Sequence, residues 1–298
     1  MSAKKPSVLT GDPVRITIDK EKCIECHRCL DACPLVRFAG FASLEDPLAG
    51  YICLECGGCM AVCPQGAISI GDLPPATPAG EVPPGDEVLN LIKARRSVRT
   101  FGDQQVRQED WDQLIEAVKY SPVGHNSQYI DVMIVESPEV LKEISRIGMD
   151  FWKKTAMLIN KPVFRRIFRR MLGNHAFRVF SRVTPFYDQQ KDAFERGLDP
   201  ILFNAPALML FLAPGTETMG RAEADMAAQT VALYAPALGL GTCYSGIVMV
   251  LFSTSNAAIK KVVPVPKGYK VYSALIVGYP KDARPYIPYR RERNVYRL

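Results

Sequence analysis

Cys23-Ile24-Glu25-Cys26-His27-Arg28-Cys29-Leu30-Asp31-Ala32-Cys33-Pro34 decides how this chain is read. It recurs thirty residues later as Cys53-Leu54-Glu55-Cys56-Gly57-Gly58-Cys59-Met60-Ala61-Val62-Cys63-Pro64. Eight of the nine cysteines fall in these two runs, and only Cys243 stands outside them. Disulfide frameworks seldom space three cysteines two residues apart, and zinc ribbons use pairs rather than triplets trailed by Cys-Pro. Three thiolates on one tight loop can hold three corners of an iron–sulfur cube, the fourth ligand coming from elsewhere. The duplicated spacing therefore points to two iron–sulfur sites.

Working outward, residues 14–18 and 67–70 alternate apolar and polar like two short strands that could pair beneath such sites. Residues 12–71 resemble a bacterial 2[4Fe-4S] ferredoxin-type domain. In that arrangement the last cysteine of each run ligates the other cluster. The resemblance thus implies one cluster on Cys23, Cys26, Cys29 and Cys63, and a second on Cys53, Cys56, Cys59 and Cys33. Gly57 and Gly58 would let backbone approach the sulfides, and His27 is expected at the surface because four cysteines already satisfy each cluster.

The rest of the chain has a different character. Five prolines between Asp72 and Asp86 rule out a helix or a central strand, so 72–86 reads as a semi-rigid linker. Beyond it, helical patterns cover 87–96, 108–120, 138–148 and 222–238, and strand patterns cover 132–135, 207–213 and 271–277. Their alternation over 87–298 gives a second, α+β domain. The 298 residues are 48% hydrophobic and 23% charged, which excludes disorder and supports two buried cores. No run of apolar residues is long enough to span a bilayer, and Met1–Ser7 lacks the apolar stretch of a secretory signal; a cytoplasmic location is the expectation.

Four signatures punctuate the second domain. Arg95-Arg96-Ser97-Val98-Arg99-Thr100-Phe101 places three guanidiniums and a hydroxyl in five residues, a set suited to a phosphate monoester, although a solvated basic helix end has the same composition. Gly124-His125-Asn126-Ser127-Gln128 offers paired donors and acceptors of the kind that read a heterocycle's edge, or form an ordinary turn. Gly239-Leu240-Gly241-Thr242-Cys243-Tyr244-Ser245-Gly246 ends an apolar helix on glycines and exposes backbone amides. The last signature is Gly278-Tyr279-Pro280, followed by Arg284, Arg290 and Arg291.

Together, in this order, these signatures resemble the nitroreductase family of FMN enzymes over residues 87–298. The resemblance implies a mixed sheet flanked by helices, and a homodimer with FMN at its interface. It implies that Arg95, Ser97 and Arg99 hold the FMN phosphate with Arg96 beside them, that Asn126 and Gln128 contact the ring or ribityl chain, and that Tyr244, Ser245 and Gly246 supply amides near the ring. Arg290 or Arg291 would close the phosphate site. Cys243 is read as a small apolar residue rather than a redox thiol.

A cubane passes single electrons and a flavin stores two, so one chain carrying both is expected to be an FMN-dependent oxidoreductase. Electrons would come from a ferredoxin or another low-potential carrier, and a nitroaromatic, quinone or similar conjugated compound would accept them. No side chain need be a covalent catalyst. Two alternatives stay open: an NAD(P)H-dependent nitroreductase with structural or regulatory clusters, and a non-catalytic electron-transfer subunit of a larger complex.

One segment stands apart. Residues 161–182 carry seven basic side chains and no acidic one, whereas residues 1–71 carry seven basic and eight acidic. Within it Val163, Phe164, Ile167, Phe168, Met171 and Leu172 share one helical face with arginines opposite, and Gly173-Asn174 reads as a stop before the pattern resumes. The first expectation is a helix with its apolar side on the dimer or pocket, the second an acidic protein partner, and the last a membrane surface for 163–183. Nucleic acid is not expected, since no known binding module accompanies the charge. Phe151, Trp152, Phe186 and Tyr187 could stack on a planar substrate, with core packing the competing fate.

Overall fold

The computed structural model describes residues 11–159, 161–254 and 256–298, with the side chains of Met171 and Leu172 outside that description. These residues form two compact units. One comprises the described residues up to Pro83 together with Val123–Gln128, and the other comprises Pro84–Pro122 and Tyr129–Leu298.

In the first unit β1 (Ile16–Ile18) and β2 (Ile68–Ile70) pair antiparallel, Ile16 opposite Ile70 and Ile18 opposite Ile68, as the flanking alternation predicts. Between them lie four helices of five residues or fewer: α1 (Arg28–Ala32), α2 (Pro34–Phe38), α3 (Ala49–Ile52) and α4 (Gly58–Ala61). Helices this short do not hold themselves. The internal repeat is visible in the backbone. Each cysteine loop turns left-handed at the same two places, Glu25 and His27 at φ 55° in the first, Glu55 at 51° and Gly57 at 70° in the second. The apolar core beneath is small, with Val14, Val36, Leu44, Ala49, Met60, Ile68 and Ile70 buried. Gly50 admits the close approach of the chain there, since a Cβ would stand 2.4 Å from the carbonyl oxygen of Val14.

The second unit is built on an antiparallel sheet of order β3-β4-β6-β5, from β3 (Asp131–Val135), β4 (Ala207–Pro214), β5 (Gly241–Tyr244) and β6 (Tyr269–Gly278). Seven consecutive apolar residues make β4 a strand covered on both faces. Its alternation divides the core in two: Leu208, Leu210 and Leu212 face one layer, Ala207, Met209 and Phe211 the other. The first layer is closed by α7 (Pro138–Leu158), α11 (Gly246–Ser253) and α12 (Ala257–Val262), the second by α6 (Gln108–Lys119) and α10 (Gly220–Tyr234). Ala224, Ala227, Ala228 and Ala232 let α10 lie close on the sheet. The remaining helices are α5 (Gly85–Ala94), α8 (Pro162–Val183) and α9 (Tyr187–Glu195).

Two features differ from the sequence expectation, each for a local reason. The helix expected to end at Gly148 runs on to Leu158, because Gly148 is a packing residue rather than a stop: a Cβ there would meet Ile201 Cγ2 at 2.8 Å. Strand β5, four residues long and read from sequence only as a glycine-rich helix stop, is held by pairing with β6. The apolar side of the first half of the basic segment, expected on the dimer or pocket, is largely exposed among the described residues. Val163, Phe164 and Ile167 are exposed along with the arginines, Phe168 is half-buried, and Met171 and Leu172 lie outside the described side chains. The expected break is present, with Gly173 at φ 76° and ψ 165° inside α8. Among the described residues no helix is long and apolar enough to cross a membrane.

Candidate functional site

The eight clustered cysteines sort into two groups, and the sorting is crosswise. Cys23, Cys26, Cys29 and Cys63 line one cavity, so the last cysteine of the second run joins the first three of the first. Burial raises the Cys29 thiol pKa above its ordinary value, and the neighbouring Cys63 and Cys26 push it the same way. Burial, then the nearness of Cys33 and Cys53, pushes the Cys59 thiol up to about 11. The Cys53 thiol is raised chiefly by burial and further by Cys56 and Cys33. Crowded thiols resist ionisation until a cation offsets their mutual repulsion, which is the setting an iron cluster relieves. The Cys63 sulfur also accepts a hydrogen bond from the Ala67 amide at 3.3 Å, the kind of contact that steadies a cluster ligand. No three His, Cys, Asp or Glu side chains among the described residues stand close enough to chelate a single ion. The two sets of four thiols supply the donor type and number that two four-iron cubes require. His27 is exposed, as expected of a residue outside both sets.

In the second unit the arginine motif leaves α5 and is zipped onto β5. Val98 donates to the Thr242 carbonyl at 2.9 Å, and Ser97 and Thr242 form a parallel bridge. Gly241 makes this approach feasible, since a Cβ there would stand 2.5 Å from Val98 Cγ2. The motif thereby lies beside the residues that the third signature supplied. Burial, then the charge of Asp225, pushes the Tyr244 phenol up to about 12, with Arg95 near enough to oppose it, and its hydroxyl donates to the Asp225 carbonyl at 3.3 Å. Arg95, Arg96 and Ser97 are half-buried, while Arg99 is exposed with its guanidinium 5.7 Å above the Phe203 ring. Arg284 Nη2 donates to Thr100 Oγ1 at 3.2 Å, which brings a further cation to this loop. Its position six residues after Gly278 was the only sequence signal for it.

Other residues expected at the flavin make hydrogen bonds within the protein or lie exposed. Asn126 and Gln128 were expected at the flavin, yet the Asn126 amide donates to the carbonyls of Leu54 and Glu55 at 2.9 and 3.0 Å, and its Oδ1 accepts from Gln128 Nε2 at 2.9 Å. These bonds are why Val123–Gln128 belongs with the cysteine unit. The Ser245 amide donates to the Ala274 carbonyl at 3.0 Å and its hydroxyl caps α11, while Gly246 stands at the exposed start of that helix, where backbone amides lack intrahelical partners. Arg290 and Arg291 lie in an exposed tail without regular secondary structure. Cys243 is buried between core residues of β5, in keeping with an apolar role.

A cavity of about 330 Å³ opens beside the motif, lined by Arg99, Gln189, Gln190, Asp199, Phe203 and Asn204 among others. Gln190 Oε1 is buried without a hydrogen-bond partner, and Phe203 and Asn204 hold left-handed backbone at φ 56° and 53°. Of the four aromatics considered for substrate stacking, Phe151, Trp152 and Tyr187 pack against the core, and Phe186 is exposed.

Residues 92–279 match the nitroreductase family, and residues 15–64 match the 4Fe-4S dicluster domain. A curated protein similar to this chain is the FMN reductase (NAD(P)H) of Bacillus subtilis, 27% identical over 200 residues that cover 66% of this chain and 67% of that protein. A solved FMN-dependent nitroreductase from Clostridium difficile R20291 is similar in fold, with a TM-score of 0.52 and 20% identity over 72% of this chain and 99% of its own. A nitroreductase with bound FMN from Desulfitobacterium hafniense DCB-2 aligns with a TM-score of 0.51 and 21% identity, covering 70% of this chain and 97% of its own.

Proposed function

The chain belongs to the nitroreductase family and carries a 4Fe-4S dicluster domain ahead of it, and from that premise we propose an FMN-dependent oxidoreductase that takes electrons through two [4Fe-4S] clusters from a low-potential carrier such as ferredoxin and reduces a nitroaromatic, quinone or similar conjugated acceptor. The observation that carries this reading is the crosswise grouping of eight cysteines in the same chain as an arginine loop fixed against β5. FMN, when bound, supplies the exchange between single electrons and pairs.

The chain's own residues bind and orient. Arg95, Ser97 and Arg99, with Arg96 beside them, hold the phosphate through charge-assisted forks. Gly246 offers its amide to the ring, and Tyr244, whose phenol burial pushes up to about 12, is a neutral donor beside it. A second copy of the chain would complete the site. Tyr286, Tyr289, Val295 and Tyr296 are all more than 70% exposed along the tail that also carries Arg290 and Arg291, an apolar content that suits a partner subunit better than water.

Parallel anaerobic reduction of the reconstituted protein tests the proposal. Rapid flavin bleaching by reduced ferredoxin, with slow bleaching by NADH and NADPH, is the expected result. The reverse order would favour an NAD(P)H-dependent nitroreductase with structural clusters, a reading supported by the name of the Bacillus subtilis relative.

A further inference from the structure

Of the residues that the sequence assigned to the flavin, Asn126 has the best-defined surroundings, and they belong to the iron–sulfur side. Its amide nitrogen donates to two consecutive carbonyls, Leu54 and Glu55, which lie between Cys53 and Cys56. Gln128 donates to its Oδ1 and so fixes which end of the carboxamide faces the loop. The segment accepts backbone strain to do this. His125 and Asn126 at φ 53° and Gln128 at 47° are three non-glycine residues in the left-handed region within four positions. Such clusters persist only where surrounding contacts over-determine them. The two cysteine loops also differ in cover. Ile24 and Glu25 are exposed, whereas the equivalent Leu54 and Glu55 are half-buried.

We propose that Asn126 is a positioning residue for the second cysteine loop, clamping the Leu54 and Glu55 carbonyls and thereby raising the reduction potential of the cluster held by Cys33, Cys53, Cys56 and Cys59. A trans peptide points its C=O and the next N–H in opposite directions, so holding the two carbonyls at Asn126 turns the amides of Glu55 and Cys56 the other way. A carbonyl that accepts a hydrogen bond also polarises its peptide and strengthens the N–H as a donor. Donors directed at cluster sulfurs favour the reduced, more negative state. The clamp thereby favours electron transfer from the first cluster to the second. An electron passing between them reduces the second cluster by one and oxidises the first by one, the low-potential carrier being the source.

This inference rests on the eight cysteines holding two cubanes, so iron content of the unaltered full-length chain is measured first. About four iron atoms or fewer after full reconstitution would sink that underlying assignment by itself. With about eight, EPR-monitored redox titration is compared for the unaltered chain, Asn126→Asp and Asn126→Leu, together with the FMN dissociation constant and the rate of iron loss to a chelator. Both variants keep the size of the side chain and remove its donor. The expected result is a negative shift of one cluster's midpoint, the other unmoved, iron loss about tenfold faster, as one or two neutral hydrogen bonds imply, and an unchanged FMN dissociation constant. Gln128→Leu, which only frees the carboxamide to turn, should give a smaller shift of the same sign, and it serves if the Asn126 variants fail to fold. Weakened FMN binding with both midpoints unmoved would overturn the proposal and return Asn126 to the flavin. No change in midpoints, iron loss or FMN affinity would overturn it equally.

Discussion

The unit built on the four-stranded sheet holds itself together with buried side chains, whereas the cysteine unit has little to bury. In the former, every residue of β4 from Ala207 to Ala213 is buried, and two apolar layers close over the faces of the sheet. In the latter, two three-residue strands and helices of at most five residues surround a handful of apolar side chains. A segment with so little to bury gains much of its stability from a bound metal or from disulfides. On the proposed reading the eight cysteines would be structural as well as electronic: the residues that would hold the electron carriers would also close the fold.

The largest expected effect is on the cysteine unit alone. Protein produced without iron should exchange the backbone amides of residues 15–70 almost at once, while β4 and β6 keep their protection, as hydrogen-exchange mass spectrometry would reveal. Equal protection of both regions would break the contrast. Next comes a single ligand. Cys63→Ser removes a residue of the second run from the cavity of the first, so iron should fall from about eight to about four per chain. The EPR signal that survives should belong to the set of Cys33, Cys53, Cys56 and Cys59.

Smaller effects fall on the self-supporting unit. Gly241→Ala would drive a methyl group into Val98, forcing the arginine loop off β5. FMN affinity should weaken about tenfold, as overpacking of this kind implies, without loss of iron; isothermal titration and an iron assay measure the two. The smallest effect concerns Asp110, which is 1% exposed. Arg107 donates to both of its oxygens at 2.9 and 3.0 Å, Tyr279 donates to it as well, and these bonds, led by those of Arg107, hold its carboxyl below the ordinary value of 3.8. A carboxyl depressed in the folded state stabilises above its unfolded pKa and stops doing so as pH falls through the folded one. Asp110→Asn should therefore lower the urea midpoint at neutral pH, and the gap from the unaltered chain should close below about pH 3.8.

What could be read from the residues follows the same division. Cysteine spacing is a direct record of chemistry, and the crosswise pairing follows from it once the two-cluster arrangement is recognised. The strands and helices of the sheet unit were legible because β4 and α10 are long and apolar. Short or glycine-bearing elements were not. Strand β5 owes its existence to β6, and Gly148 reads as a stop until its neighbour Ile201 is known. The same limit applies to Asn126. Its donors and acceptors were visible in the sequence, but the carbonyls that claim them lie 71 and 72 residues away in the chain. Nor could the sequence tell that the apolar side of 163–168 is left largely uncovered, because amphipathicity states that a face wants a partner and not whether one is present.

In the proposed function electrons reach the flavin through the clusters, a route that anaerobic stopped-flow reduction by a reduced ferredoxin would expose. The full-length chain and Cys56→Ser, both loaded with equal FMN, are mixed with the donor and flavin bleaching is followed. Loss of the fast phase in Cys56→Ser, with bleaching by dithionite retained, is the predicted result. Bleaching at the full rate in the variant would contradict it.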